Sequence, residues 1–172
     1  MRWFLAALSL ISVTALAAPS YWQQLDNGKL VAPRRLIAKV EQQFPGVITC
    51  FHVAEDASSW QYDISLVEPI TSIRHQLVFS GSNGQLLHQQ DQKLASNDDS
   101  LLLAKHLLNK QLSMSNVLNN ALRKNNGKLQ SAQLDRDLGI SYLELRVIDA
   151  AGSHRLAYDI DHRRQMPLLK RD

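Results

Sequence analysis

What most constrains the fold of this chain is the phase of its apolar residues, which changes period at defined places and does so twice. From Met114 to Ile160 the sequence reads MSNVLNNALRKNNGKLQSAQLDRDLGISYLELRVIDAAGSHRLAYDI. Val117, Leu118, Ala121 and Leu122 fall at helical spacing between Ser115, a capping residue, and Asn126-Gly127, a helix stop. The period then drops to two. Ala132 and Leu134 alternate with Ser131, Gln133 and Asp135, and Leu143, Leu145 and Val147 alternate with Tyr142, Glu144 and Arg146. A third run puts Leu156, Tyr158 and Ile160 inward, joined through Asp149-Ala150-Ala151-Gly152 as a hairpin turn. The pattern predicts one helix covering the dry face of a three-stranded antiparallel sheet.

The same plan starts earlier, at Pro33. RRLIAKVEQQF carries Leu36, Ile37, Val40 and Phe44 on one helical face, and Pro45-Gly46 ends it. Gly46 and Gly127 lie 81 positions apart, and that offset aligns Leu36 with Val117, Val53 with Leu134, Ile64 with Leu145 and Leu66 with Val147. An offset of 79 aligns Leu77 with Leu156 and Phe79 with Tyr158. The expectation is an α+β protein built from two repeats, each one helix on a three-stranded antiparallel sheet, spanning residues 33–93 and 113–172. Between them, in residues 94–112, Asp98 or Asp99 caps a Leu-rich helix bearing Leu101, Leu102, Leu103, Ala104, Leu107, Leu108 and Leu112. Apolar residues cover more than half of its circumference, so the linking helix should be buried on more than one side. It, or the second repeat, is expected to cover Ile48, Cys50, Val67 and Val78 on the outer face of the first sheet.

Ahead of both repeats, residues 1–17 combine Arg2, an apolar run from Trp3 to Leu16 and the small-residue site Ala15-Leu16-Ala17. This is the pattern of a secretory signal peptide, with cleavage near Ala17/Ala18 and a periplasmic or secreted mature chain. Pro19-Ser20 and Gln23-Gln24 cut the run short of the roughly 20 apolar residues of a membrane span. Residues 18–32, with YWQQLDNGKL, read as a loose N-terminal arm or a short lead-in strand, the arm being preferred. Removing Arg2 lowers the formal charge of +3 by one, which demands neither nucleic acid nor acidic lipid as a partner. The basic tail HRRQMPLLKRD reads as a solvated terminus or a hold on an acidic partner.

No catalytic constellation emerges from the residue pattern. Cys50 is the single cysteine, so no internal disulfide forms; it reads as a buried inert thiol, an intermolecular bridge or a reactive site. His52 and Asp63 fall on adjacent strands, with His75 or His106 as a conceivable third ligand, but no metal-binding spacing occurs and no cofactor is implied. Asp135 and Asp137 share a strand face, and Glu144 with Arg146 reads as cross-strand ion pairing. The outward set Tyr142, Glu144, Arg146, Arg155 and Asp159 is the candidate partner-binding patch on an otherwise non-enzymatic protein.

Three segments of the first repeat, Phe44-Pro45-Gly46, Tyr62-Asp63-Ile64-Ser65-Leu66 and Gly84-Gln85-Leu86-Leu87, resemble the PepSY domain family. In the second repeat the resemblance lies in Asn126-Gly127, Tyr142 to Val147 and Tyr158-Asp159. Ser80-Gly81 stands where the family carries an acidic residue, and Asp161 to Gln165 lacks the closing glycine. The resemblance implies an exported module that restrains secreted peptidases or modulates envelope signalling by binding a protein partner in the cell envelope. The alternative is a periplasmic accessory that senses a small ligand or metal.

Overall fold

The computed structural model describes residues 20–56 and 59–167. The signal peptide and the end of the basic tail lie outside these residues. Local chemistry sets each helix. In α1 (Tyr21–Asp26) Ser20 and Gln23 form a capping box, and Pro33 occupies the first turn of α2 (Pro33–Gln43). The Asp98 carboxylate accepts from the backbone N–H of Ser100 and Leu101 to start α3 (Asp99–Asn109). A second capping box, Ser113 with Asn116, starts α4 (Met114–Ala121). Ser115 is therefore inside that helix and is not its cap.

The strands are β1 (Val47–Asp56), β2 (Ser59–Glu68), β3 (Ile73–Ser80), β4 (Leu86–Lys93), β5 (Lys128–Asp137), β6 (Ile140–Asp149), β7 (Gly152–Asp159) and β8 (Arg164–Met166). All pair antiparallel in one eight-stranded sheet of order β4-β3-β2-β1-β5-β6-β7-β8. The expected pair of separate helix-on-three-strand units does not form. α2 and α4 are each followed by four strands rather than three, and the two sets fuse where Cys50, Phe51 and His52 pair with Gln133, Ala132 and Ser131. Fusion removes two sheet edges that separate units would have exposed.

Bulges shape the region beside this junction. Thr49 in β1 and Gln130 in β5 are each an extra residue against an unbroken partner strand, and they lie 81 positions apart. The Thr49 bulge moves Ile48 opposite Leu66, onto the face of Phe51 and Ile64, whereas Val47, Cys50 and Val67 share the other face. Ile48 was expected with Cys50, and the inserted residue explains the change. Gly46, at φ +129°, sits where a Cβ would fall 2.6 Å from both Leu66 Cδ2 and the Val67 carbonyl oxygen, so the chain enters β1 through a position only glycine fits.

The face carrying Phe51, Ile64, Leu77, Ala132 and Leu145 is dry and faces α2 and α4. Tyr62 donates to the carbonyl of Val31 at 2.7 Å, just ahead of α2, which anchors that helix over the sheet. Helix α3 packs on β1, β2 and β5. By register Arg74 stands opposite Val67, and its guanidinium reaches Asp98 (3.2 Å) and Ser100, so the start of α3 lies on the face opposite α2. At its other end His106 and Lys110 hold Asp161, beyond β7, at 2.9 and 2.7 Å. Leu101, Ala104 and Leu107 are fully buried while Leu108 is half-exposed, so α3 is a strap across both halves. Residues 20–32 are not a loose arm: Tyr21 is buried against Trp60 and donates to the Leu129 carbonyl at 2.7 Å.

Candidate functional site

Three features remain open after the core is assembled. One is the edge at β4. All eight of its residues are exposed, it pairs only with β3, and no strand lies on its other side among the described residues. Backbone N–H and C=O groups along that edge are left to solvent or to an added strand. The segment LLHQQDQK was missed as a strand in the sequence because it has no alternation: with neither face buried, nothing selects apolar residues at every second position. The Asn83-Gly84 turn before it was the available signal, since a hairpin turn after β3 implies a returning strand. The opposite edge strand, β8, was also missed and is only three residues long.

The second is the part of the α3-bearing face that the helix leaves uncovered, where Cys50, His52, Gln133, Glu144 and Arg146 line a shallow groove of about 380 Å3 over the β1–β5 junction. His52 lies directly opposite Asp63 in the ladder. His75 is instead held by Asp91 at 2.8 Å, and His106 by Asp161, so neither joins His52 and Asp63. No group of three or more His, Cys, Asp or Glu able to hold a metal occurs among the described residues. Burial, and then the Asp63 charge, push the Cys50 thiol pKa up, which favours the protonated, weakly nucleophilic form.

The predicted partner-binding patch divides in two. Glu144, Arg146 and Arg155 lie on the uncovered face, with Glu144 and Arg155 joined as an ion pair. Tyr142 and Asp159 are buried instead. Tyr142 donates to Asp135 across the β5–β6 ladder at 3.2 Å. Asp159 caps the turn into β8, accepting from the N–H groups of Asp161 (3.0 Å) and His162 (2.9 Å), with the His162 ring at 2.8 Å. Burial works to raise its pKa, but these hydrogen bonds and the imidazole outweigh it and hold the carboxyl below the ordinary range. Both residues are structural.

A third feature, a cleft of about 970 Å3, opens between α2 and the turn Ser82-Asn83-Gly84, with Arg35 and Lys39 on its helical wall. Neither side chain was singled out in the sequence. Both are exposed positions on an amphipathic helix, where a cation is the ordinary choice.

No family model matches the chain, and no curated protein does. A crystal structure of a presumed lipoprotein from Clostridium difficile is similar with a TM-score of 0.42 at 14% identity, covering 81% of this chain and 91% of that one. A likeness at that level carries nothing about function here. No helix among the described residues is long and apolar enough to cross a membrane.

Proposed function

We propose that this protein is an exported, non-enzymatic interaction module that accepts an extended segment of an envelope protein on the free edge of β4. One observation carries the reading: an edge strand of eight residues, exposed throughout and, among the described residues, bonded on one side only. Main-chain hydrogen bonds from such an edge bind a partner strand, and the side chains beside it select among sequences. The PepSY-like segments support a partner that is a peptidase or a signalling protein. The N-terminal apolar run ending at Ala15-Leu16-Ala17 supports export, with a mature chain beginning near Ala18.

Proline substitution tests the edge. Successive N–H groups of a strand point to opposite edges, so of Gln89→Pro and Gln90→Pro one removes only an outward donor and leaves the β3–β4 ladder intact. The variant that melts like wild type should lose the envelope proteins that wild type captures. Unchanged capture by that variant refutes strand addition at β4. N-terminal sequencing of exported material tests the cleavage site. The alternative, a small-ligand or metal sensor, would use the groove above Cys50 and Glu144; a rise in melting temperature with a metabolite or metal pool, abolished by Glu144→Lys, would favour it.

A further inference from the structure

The cleft beside α2 joins positive charge to an apolar wall. Its lining includes Arg35 and Lys39, one helical turn apart, and contains no Asp or Glu. Some basic side chains sit against carboxylates, as in Arg74 with Asp98, Lys110 with Asp161, Lys128 with Asp26 and Arg155 with Glu144, and are neutralised there. Arg35 and Lys39 have no carboxylate partner among the described residues; the Lys39 ammonium donates only to the Gly84 carbonyl, at 3.4 Å. Half-buried Leu25 and Val31 supply an apolar wall next to these charges. The opposite wall is the turn Ser82-Asn83-Gly84, and that same turn leads the chain into β4 through Gln85. The cleft lining thus ends at Gly84, two residues before β4 begins at Leu86.

We propose that this cleft reads an acidic peptide: a segment whose extended part lies on β4 and which places Asp or Glu side chains, next to an aliphatic residue, between Arg35 and Lys39. The inference rests on strand addition at β4 and names the chemistry of the strand added. Charge complementarity selects a carboxylate, because a neutral segment leaves two cations without partners, while the Leu25 and Val31 wall favours an adjoining Leu, Ile or Val. Backbone bonds at β4 are sequence-blind, so sequence selection falls to the cleft.

The test is a displayed library of random decapeptides selected against three proteins: wild type, Arg35→Glu/Lys39→Glu, and the natively melting β4 proline variant. Arg35 and Lys39 are both exposed, so their replacement should leave the fold unchanged, which a circular dichroism melt of the double variant checks first. Wild type should enrich peptides with Asp or Glu beside an aliphatic residue. A synthesised representative should lose at least about tenfold in affinity to the charge-reversed protein, and a similar factor when its acids become Asn and Gln. Raising salt from 50 to 500 mM should weaken it several-fold. Enrichment without acidic residues, equal affinity for the charge-reversed protein, or no binder at all overturns the proposal. Peptides that ignore the proline but fail on the charge-reversed protein support the cleft and refute the β4 edge; the converse refutes the cleft alone. Binding of phosphatidylglycerol vesicles, and not peptides, through Arg35 and Lys39 overturns the peptide assignment.

Discussion

Truncating Leu107 tests whether the two halves of the sheet stand or fall together. The side chain is fully buried in α3, and α3 packs on β1 and β2 from the first half and β5 from the second. Leu107→Ala removes the transfer free energy of the lost methyl groups and leaves a cavity that neighbours fill only in part, a loss of about 3 kcal/mol within a range of roughly 2 to 5. With a urea dependence of about 2 kcal/mol per molar for a chain of this size, the midpoint should fall by about 1.5 M. Trp22 in α1 and Trp60 in β2 report on the first half, whereas far-ultraviolet circular dichroism reports on all eight strands. Both probes should move together in one transition. A midpoint shift under about 0.25 M, the scale of a surface change, or a dichroism transition that separates from the fluorescence, would show that α3 only tethers two independent bodies.

Gly46→Ala should lower the melting temperature by about 4 °C or more, since the new Cβ meets the Val67 carbonyl at 2.6 Å and φ is +129°. Asp98→Ala should cost about 1 kcal/mol in a denaturant melt, through loss of the α3 cap and of the Arg74 contact. The Ser100 hydroxyl above all, then the Leu101 N–H and Arg74, hold the Asp98 carboxyl below the ordinary range against partial desolvation. Its contribution is therefore present above the unfolded carboxylate pKa of about 3.9 and is lost as pH falls through the lower folded value. Stability measured between pH 6 and 2 should drop below about pH 4, less steeply in Asp98→Asn. Asp159→Ala should cost about 1 to 2 kcal/mol by stranding two turn N–H groups, whereas Arg155→Ala on the exposed sheet face should change stability by under about 0.5 kcal/mol; equal costs would refute the division between buried and open members of that set.

What the sequence determined by itself is local: where three of the four helices and most strands lie, and which side of each is apolar, the short α1 in the expected arm being the helix it missed. Ile64, Leu66, Leu145 and Val147 are all buried, because burial of one sheet face selects apolar residues at every second position. The start of α2 at Pro33, its end before Pro45-Gly46 and the start of α3 at Asp98 followed from residues that act within a turn of chain, whereas α4 starts after Ser113 instead of Ser115 and ends at Ala121, ahead of the expected Asn126-Gly127 stop. What only the tertiary structure decided is how the pieces join. Strand edges carry the same N–H and C=O groups whatever the side chains, so nothing in the residue pattern revealed that β1 would pair with β5 and turn two expected sheets into one. A strand exposed on both faces leaves no period, which hid β4. A bulge shifts phase by one residue, which moved Ile48 across the sheet, and a turn folded over a strand end buried Asp159 at a nominally outward position. The cleft at Arg35 and Lys39 exists only because the turn between β3 and β4 returns against α2, a contact between residues more than 40 positions apart that no local pattern encodes.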